Sequence, residues 1–373
     1  MTDKEYLKAS EYIIGALRTM IDGSPLPEKP ADTSFEMIYR LAKHHSLAST
    51  VYHYIENEVK KEASPSLVAV WQKERDVDFV KNLKQTDEFR RVTELFTKEK
   101  VSFLPLKGLI MKTLYPRPEL RTMADMDIFV SVPQAERARE LLLEIGYICE
   151  CDPDLEEIHD SLKKPPFVNI ELHKLLYKGS EFSFSDCKPK EDNPYWYVME
   201  DDDFFAFMLR HARKHYTHGG CGIRAVLDIF LYKRAKPNLI SSAAFIDKLK
   251  ENELYEFYHT ISLLADKWFL GKEPETDISE FELYTVTGGT YGTLVNRAGF
   301  ERRFKYILSR IFPSPIVIKK RYRWVKRCVI LLPVGYIVRI VQSIFNGRVK
   351  SHVDAISESN KREKEKNNKN GSV

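Results

Sequence analysis

The chain has 373 residues, of which 43% are hydrophobic, 12% aromatic and 30% charged, a composition that excludes a globally disordered protein. None of the five cysteines forms a C-x-x-C pair, which argues against a zinc ribbon, and the N-terminal MTDKEYLKAS lacks the apolar stretch of a secretory signal. We therefore expect free thiols, a cytoplasmic protein and two or three domains.

The net charge of +4 is unevenly distributed along the chain. Residues 302–353 contain thirteen Lys or Arg and no Asp or Glu, whereas residues 354–373 contain five basic and four acidic side chains. Residues 1–301 therefore carry a net charge of −10, and an acidic body is joined to a strongly basic C-terminal segment.

Residues 1–99 are predicted to form a helical N-terminal region, because apolar positions such as Tyr12, Ile13 and Leu17 recur at helix spacing. A loop with three prolines at 24–34 separates the first helix from the rest. The same pattern predicts a second helix over 35–57. It also predicts a third, which begins at SPS (64–66) and extends to about residue 99.

In residues 100–198 the spacing of apolar residues changes, and this region is predicted to form an α/β core. Short apolar or alternating runs predict strands at 101–106, 124–130, 147–151 and 167–173. One short helix is expected after Lys107-Gly108, and a longer one from Pro133 to Gly146.

A helical period returns in 199–300, which is predicted to be a helical domain. Two amphipathic helices are expected at 202–216 and 223–235, and a third at 243–270. The remaining chain divides into a basic, apolar helical segment at 301–353 and a low-complexity tail at 354–373, which we expect to be disordered.

The clearest chemical signal is Asp125-x-Asp127 in the apolar frame MADMDIFV. Side chains at i and i+2 of a strand point to one face, and two carboxylates so close together repel unless a cation lies between them. Mg²⁺, or Mn²⁺, suits this role, because it binds carboxylates together with substrate phosphates. A third acid, Glu171, lies on a later strand, and Gly108 would allow a phosphate to approach the backbone. This set predicts a two-metal phosphoryl-transfer site.

The region of about 100–235 resembles the uncharacterised nucleotidyltransferase family of the polymerase-beta-like superfamily. That family shows a strand ending in Lys-Gly, a helix, Tyr-Pro, an Arg, D-x-D, a carboxylate–Leu–His strand, and helices with a His-rich stretch and an Asp. The matching positions are Lys107, Gly108, Tyr115, Pro116, Arg121, Asp125, Asp127, Glu171, His173, His211, His215 and Asp228. The chain departs from the wider superfamily in two places, a Lys-Gly phosphate turn instead of Gly-Ser or Gly-Gly, and Glu171 where Asp is commoner.

The resemblance implies an α+β fold, with a small mixed sheet in a polymerase-beta-like core flanked by helical regions. It also implies an enzyme that transfers a nucleoside monophosphate from a nucleoside triphosphate to an unknown acceptor and releases pyrophosphate. Asp125, Asp127 and Glu171 would be the catalytic and metal-binding residues. The nucleotide-binding residues would be Lys107, Gly108, Arg121, His173, His211, His215 and Asp228.

Two other interpretations of the carboxylate pair stay open. The same fold can serve as a non-catalytic nucleotide-binding or scaffold module, and D-x-D also occurs in metal-dependent glycosyltransferases. The latter place the pair after several βα units, whereas only one strand is predicted before Asp125. Among other features, His211 and His215 share a helix face but lack the H-E-x-x-H arrangement of a metallopeptidase, and Arg224 and Asp228 are spaced to pair with each other.

The basic segment 302–353 allows three interpretations. Its longest uncharged apolar run, Cys328 to Val338, is about half of the roughly twenty residues that a membrane span needs. Basic and aromatic side chains beside apolar ones suit an anionic membrane surface at the inner face of the membrane, or RNA phosphates, and they equally suit a helix packed on the acidic body.

Overall fold

The computed structural model describes residues 1–150, 158–293, 296, 315–322, 325 and 331–345, and it shows a mixed α+β protein. Four helices form the N-terminal region: α1 Asp3–Asp22, α2 Phe35–His44, α3 Ala48–Glu62 and α4 Pro65–Lys98. Helix α1 begins with a capping box between Thr2 and Glu5, and Pro65 opens α4 behind the N-cap Ser64.

The single helix predicted over 35–57 is in fact two helices, α2 and α3, so the prediction of one continuous helix was wrong. The chain turns at His45–Leu47, where Ser46 has a φ of 54°. His45 is fully buried at this turn and accepts a hydrogen bond from the Ile223 backbone N–H, so a distant contact fixes the break.

A five-stranded sheet forms the centre of the α/β core, in the order β1-β2-β5-β4-β3. Its strands are β1 Leu104–Pro105, β2 Met126–Phe129, β3 Ile148–Cys149, β4 His159–Lys164 and β5 Val168–His173. Strands β2 and β5 are parallel, and the other pairs are antiparallel. The predicted strands at 101–106 and 124–130 are shorter than expected, the end of the one at 147–151 lies outside the described residues, and β4 was not predicted.

Two helices and a hairpin complete this core. Helix α5 Gly108–Met111 is a single turn, extended by 3₁₀ turns at Lys112–Leu114 and Pro118–Leu120, and α6 is Val132–Glu144. A 3₁₀ turn at Phe184–Asp186 leads into the hairpin of β6 Cys187–Lys190 and β7 Asn193–Met199.

The C-terminal part of the described chain is helical. Its helices are α7 Asp201–Thr217, α8 Gly222–Ala235, α9 Pro237–Ile240, α10 Ala243–Glu251, α11 Tyr255–Leu270, α12 Ser279–Gly288, α13 Pro315–Arg321 and α14 Leu332–Phe345. The two helices predicted at 202–216 and 223–235 are confirmed. The one predicted at 243–270 is divided into α10 and α11, because Glu253 has a φ of 56° and Leu254 is buried beside it.

Two large hydrophobic cores lie within the described part of residues 1–288. The first joins α1–α3 and the start of α4 to α7, α8 and α10–α12, so regions far apart in sequence share one interior. The second lies between the sheet, α6 and the end of α4, where Val92 and Phe96 are fully buried. Since side chains alternate along a strand, Met126 and Ile128 enter the second core while Asp127 and Phe129 take the opposite face of the sheet.

The basic segment predicted at 301–353 is described only in part, and the tail at 354–373 lies outside the described residues. Helices α13 and α14 pack together through Ile318, Tyr322 and Val325. Within the described parts of the chain, no helix combines the length and apolar character that crossing a bilayer requires. A role of this segment at an anionic surface or on RNA stays a prediction.

Candidate active site

A cavity of about 220 Å³ lies between the sheet and helices α7 and α8. All of the predicted site residues except His173 line it. The sheet wall carries Lys107, Gly108, Asp125, Asp127 and Glu171. The helical wall carries His211, His215, Arg224 and Asp228, and Arg121 lies between the two walls. Thr290 and Tyr291 line a third side.

Strand register brings two of the predicted acids together. Asp127 of β2 lies opposite Glu171 of β5, and Phe129 lies opposite His173 in the same parallel pair. Asp127, Glu171 and His173 therefore share one face of the sheet, the face turned towards the helices. Asp125 lies just before β2 rather than within it, because β2 begins at Met126.

Asp127 is held by two neighbours. Its Oδ1 accepts hydrogen bonds from Nζ of Lys107 at 2.6 Å and from Nε2 of His173 at 2.9 Å. Burial raises the pKa of Asp127, but Lys107 and His173 outweigh burial and hold that pKa well below its usual value. Burial lowers the pKa of His173, and its hydrogen bonds to Asp127 and Glu171 outweigh that effect and raise it. Asp127 is thus an ionised carboxylate whose orientation is fixed by His173 from behind the cavity wall.

Asp125 has the opposite electrostatics. Burial raises its pKa first, and the nearby carboxylates of Glu171 and Asp127 raise it further. The Lys107 Nζ lies 3.8 Å from Oε2 of Glu171, so this one ammonium faces both Asp127 and Glu171. The sheet wall therefore holds more negative than positive charge, which is the environment that stabilises a bound divalent cation.

A second set of donor atoms lies beside these acids. Among the described residues, His159, Glu171 and His173 offer ligand atoms that all lie within 4.8 Å of one another. His159 is directly opposite His173 in the β4–β5 pair, and its Nε2 lies 3.6 Å from Oε1 of Glu171. Sequence reasoning missed His159, because the polar run HDSLKK gave no strand signal. Glu171 is common to this set and to the predicted trio of Asp125, Asp127 and Glu171.

The Lys107-Gly108 turn has a special backbone. Lys107 has φ 43° and ψ −113°, a conformation that is unfavourable for residues with a Cβ. A Cβ added to Gly108 would lie 2.7 Å from Nη1 of Arg121 and 2.7 Å from Sδ of Met123. A side chain at position 108 would therefore have to displace Arg121 or Met123. The approach of a phosphate to the Gly108 backbone stays a prediction.

Arg121 is engaged by Asp228 rather than exposed to the cavity as an isolated cation. It donates from Nε to Oδ1 at 2.9 Å and from Nη2 to Oδ2 at 2.7 Å, and the Tyr115 hydroxyl donates to the same carboxylate at 2.8 Å. All three side chains are buried. The expected pairing of Arg224 with Asp228 was wrong, because this bidentate partner from another element occupies both oxygens.

Arg224 takes a different position as a result. Its Nη1 donates to the Thr122 backbone oxygen at 3.2 Å, and it forms no ion pair with a carboxylate of a described residue. Burial lowers its pKa, and the neighbouring Arg121 guanidinium lowers it further. Sequence reasoning missed this residue as a site cation because helix spacing suggested a partner for it.

The two histidines of α7 contact each other, with their Nε2 atoms 3.1 Å apart. Burial lowers the pKa of His211 well below its usual value and that of His215 to about 4. Both rings are therefore neutral at pH 7, and one donates to the other. They contribute hydrogen-bonding capacity to the helical wall but no positive charge.

Comparison with known proteins agrees with the resemblance seen in the sequence. The model of a family described as "uncharacterised nucleotidyltransferase" matches residues 31–270, whereas no curated protein and no solved structure matches the chain. The matched range begins before α2 and ends with α11, so it includes most of the N-terminal helices as well as every predicted site residue. It covers more than half of the sequence, and the chain belongs to the uncharacterised nucleotidyltransferase family.

Proposed function

We propose that this protein is a metal-dependent nucleotidyltransferase with a polymerase-beta-like core, which transfers a nucleoside monophosphate from a nucleoside triphosphate to an acceptor. One observation carries the proposal. Asp125, Asp127 and Glu171 line the same cavity as the Lys107-Gly108 turn, in a chain that belongs to this family.

The proposed metal ligands are Asp125, Asp127 and Glu171, whose oxygen atoms suit Mg²⁺ or Mn²⁺. The fit rests on three carboxylates that line one cavity, with the Lys107 ammonium in contact with Asp127 and Glu171. Burial raises the pKa of Asp125, and the charges of Glu171 and Asp127 raise it further. When bound, the ion would neutralise charge on the phosphate oxygens and polarise the phosphorus that is attacked.

The chain's own residues have separate tasks in this proposal. Glu171 accepts the proton of the acceptor hydroxyl, since its carboxylate is partly exposed at the cavity while Asp127 is engaged by Lys107 and His173. The acceptor oxygen then forms a bond to the α-phosphorus, the bond from that phosphorus to the bridging oxygen breaks, and pyrophosphate leaves. His173 orients Asp127 throughout.

Calorimetric titration tests the proposal. Each nucleoside triphosphate is titrated into the wild type and into Asp125→Ala/Asp127→Ala, with Mg²⁺ and without it. The expected result is Mg²⁺-dependent binding to the wild type that is lost in the double variant. Asp87→Ala/Glu94→Ala is the matched control, because it removes two exposed acids of α4 that lie outside the cavity.

Two results would contradict the proposal. Metal-independent binding that survives in Asp125→Ala/Asp127→Ala would remove these acids from the site. Binding without pyrophosphate release in the presence of candidate acceptors, sugars, tRNA and proteins among them, would favour the non-catalytic nucleotide-binding module.

A further inference from the structure

The helical wall of the cavity carries a cation, Arg224, that attracts Asp228 at a distance but that no carboxylate of a described residue contacts. Lys107 pairs with Asp127 and Arg121 pairs with Asp228, so the cavity's other cations have counter-charges in contact. Arg224 has only the backbone oxygen of Thr122 as a hydrogen-bond partner among the described residues. Its remaining N–H groups leave it able to bind an anion.

Thr290 provides a second, independent observation at the same cavity. It is 7% exposed and lines the cavity, yet its Oγ1 has no hydrogen-bond partner among the described residues. A buried hydroxyl without a partner is destabilising, so such groups in folded proteins usually bind an ordered water or a ligand. The next residue, Tyr291, lines the same cavity, as does Arg224.

The position of Thr290 is set by contacts of the backbone on both sides. A Cβ on Gly289 would lie 2.4 Å from Nε2 of His44, and a Cβ on Gly220 would lie 2.5 Å from Cα of Gly288. The Thr290 N–H donates to the His44 backbone oxygen at 3.1 Å. The turn is therefore packed closely against α2 and the start of α8, and the hydroxyl is held in place before a ligand arrives.

Charge is thus separated across the cavity, with Asp125 and Glu171 on the sheet wall and Arg224 on the helical wall. A nucleoside triphosphate bound with its α-phosphate near the acids would direct its remaining phosphates towards Arg224. We propose that Arg224 and Thr290 form the subsite for the β- and γ-phosphates, the part of the substrate that leaves as pyrophosphate. This inference rests on the proposed function, and it adds a residue, Thr290, that lies beyond the family-matched range of 31–270.

Inorganic pyrophosphate is the direct probe of this subsite, because it carries the two phosphates without a nucleoside. Calorimetry with Mg²⁺ measures its binding to the full chain as wild type, Arg224→Gln and Thr290→Val. We expect roughly tenfold or greater weakening in Arg224→Gln, which loses a charge-assisted contact, and about three- to tenfold in Thr290→Val, which loses a neutral one. Arg234→Gln is the matched control, since Arg234 is on the same helix and also donates to one backbone oxygen, that of Ile21.

Nucleotides provide the second measurement. The affinities of each triphosphate and of its monophosphate are measured on the same variants. Arg224→Gln is expected to lower the affinity for the triphosphate roughly tenfold and the affinity for the monophosphate less than about twofold. Thr290→Val is nearly isosteric, so it keeps the test available if Arg224→Gln does not fold, as judged by circular dichroism.

The outcomes separate the two claims. Pyrophosphate and triphosphates that bind Arg224→Gln and Thr290→Val as tightly as wild type would overturn the subsite and leave the proposed function intact. Pyrophosphate binding that depends on Arg224 would support the subsite. If triphosphate binding is at the same time unchanged by Mg²⁺ and by Asp125→Ala/Asp127→Ala, the proposed function is contradicted while the subsite stands. A wild type that binds neither probe would overturn the subsite.

Discussion

Arg121 and Asp228 are 107 residues apart in sequence and form a buried, two-point ion pair, with Nε to Oδ1 at 2.9 Å and Nη2 to Oδ2 at 2.7 Å. Arg121 follows the 3₁₀ turn that leads to β2, and Asp228 belongs to α8. The pair therefore joins the sheet wall of the cavity to its helical wall. The two charges neutralise each other in this contact, and the predicted contact of Arg121 and Asp228 with a nucleotide stays a prediction.

Asp228→Asn is expected to lower the free energy of unfolding by about 3–5 kcal/mol, because it leaves the Arg121 guanidinium buried without a counter-charge. Arg121→Met combined with Asp228→Leu should cost less than the two single changes added together. Denaturant unfolding of the wild type, Asp228→Asn, Arg121→Met, Asp228→Leu and the double variant measures both values. As a control, Asp87→Asn removes the exposed partner of Arg90 and should change the free energy of unfolding far less, because solvent screens this pair. If the losses of unfolding free energy in Arg121→Met and Asp228→Leu add up to the loss in the double variant, the two residues are not coupled.

Backbone strain at Lys107 can be measured with two substitutions that both remove its ammonium. Lys107→Gly is expected to be more stable than Lys107→Ala by about 1–2 kcal/mol, because a Cβ disfavours φ 43°, ψ −113°. The control is Lys84, an exposed residue inside α4, where Gly should be less stable than Ala by about 1 kcal/mol. The opposite order at 107, or no difference, would show that the position is unstrained.

The two overlapping ligand sets make different predictions for metal binding. If the ion binds Asp125, Asp127 and Glu171, the affinity for Mn²⁺ should fall more in Asp125→Asn, by at least about tenfold, than in His159→Gln, which removes only a neighbour of Glu171. Electron paramagnetic resonance of free Mn²⁺ during a titration measures this. The opposite result would be a loss of Mn²⁺ affinity in His159→Gln, no change in Asp125→Asn, and tighter binding of Zn²⁺ than of Mn²⁺. It would place the metal site at His159, Glu171 and His173.

His45 predicts a specific loss of stability in acid. Its Nδ1 accepts the Ile223 N–H, so Nε2 carries the proton and donates to the Val286 oxygen, and burial lowers its pKa to about 3. The unfolded chain takes up a proton below its ordinary pKa of about 6.5 while the folded one does not. Stability is therefore complete above that pH and falls by up to about 1.4 kcal/mol per pH unit below it, until the folded ring titrates near 3.

His45→Asn isolates this contribution, because Asn keeps an acceptor for the Ile223 N–H and does not titrate. Unfolding free energies of both proteins at several values between pH 5 and 7 give the difference curve. The wild type should lose its advantage over the variant as the pH falls. A difference that is constant with pH would show that His45 does not titrate on unfolding.

Most of the candidate site could be predicted from sequence, because its acids lie on or just before two short strands with a recognisable residue pattern. Asp127, Glu171 and the Lys107-Gly108 turn are within or next to strands whose register then brings them together. Strand β4 could not be predicted in this way. Its two fully buried positions are Asp160 and Leu162, and Lys174 and Arg139 neutralise the first. A charged residue at one of only two buried positions obscures the alternation of polar and apolar residues that predicts a strand.

Long-range pairing explains the other differences. Spacing alone favours Arg224 as the partner of Asp228, whereas the bidentate contact with Arg121 depends on how α8 meets the segment before β2. The cluster of small residues at 286–293 was visible in the sequence. Its approach to the cavity was not, because that approach depends on contacts between Gly288 and Gly220.

Helix α4 is continuous over 34 residues and takes part in both hydrophobic cores, through Leu67 and Trp71 near its start and Val92 and Phe96 near its end. An α-helix advances 1.5 Å and turns 100° with each residue, so the number of residues between these contacts fixes both the separation and the relative rotation of the two cores. The phase of α4 therefore sets the alignment of the cavity's walls. One residue inserted between Trp71 and Val92 would shift that phase by more than a quarter turn without altering a single side chain of the site.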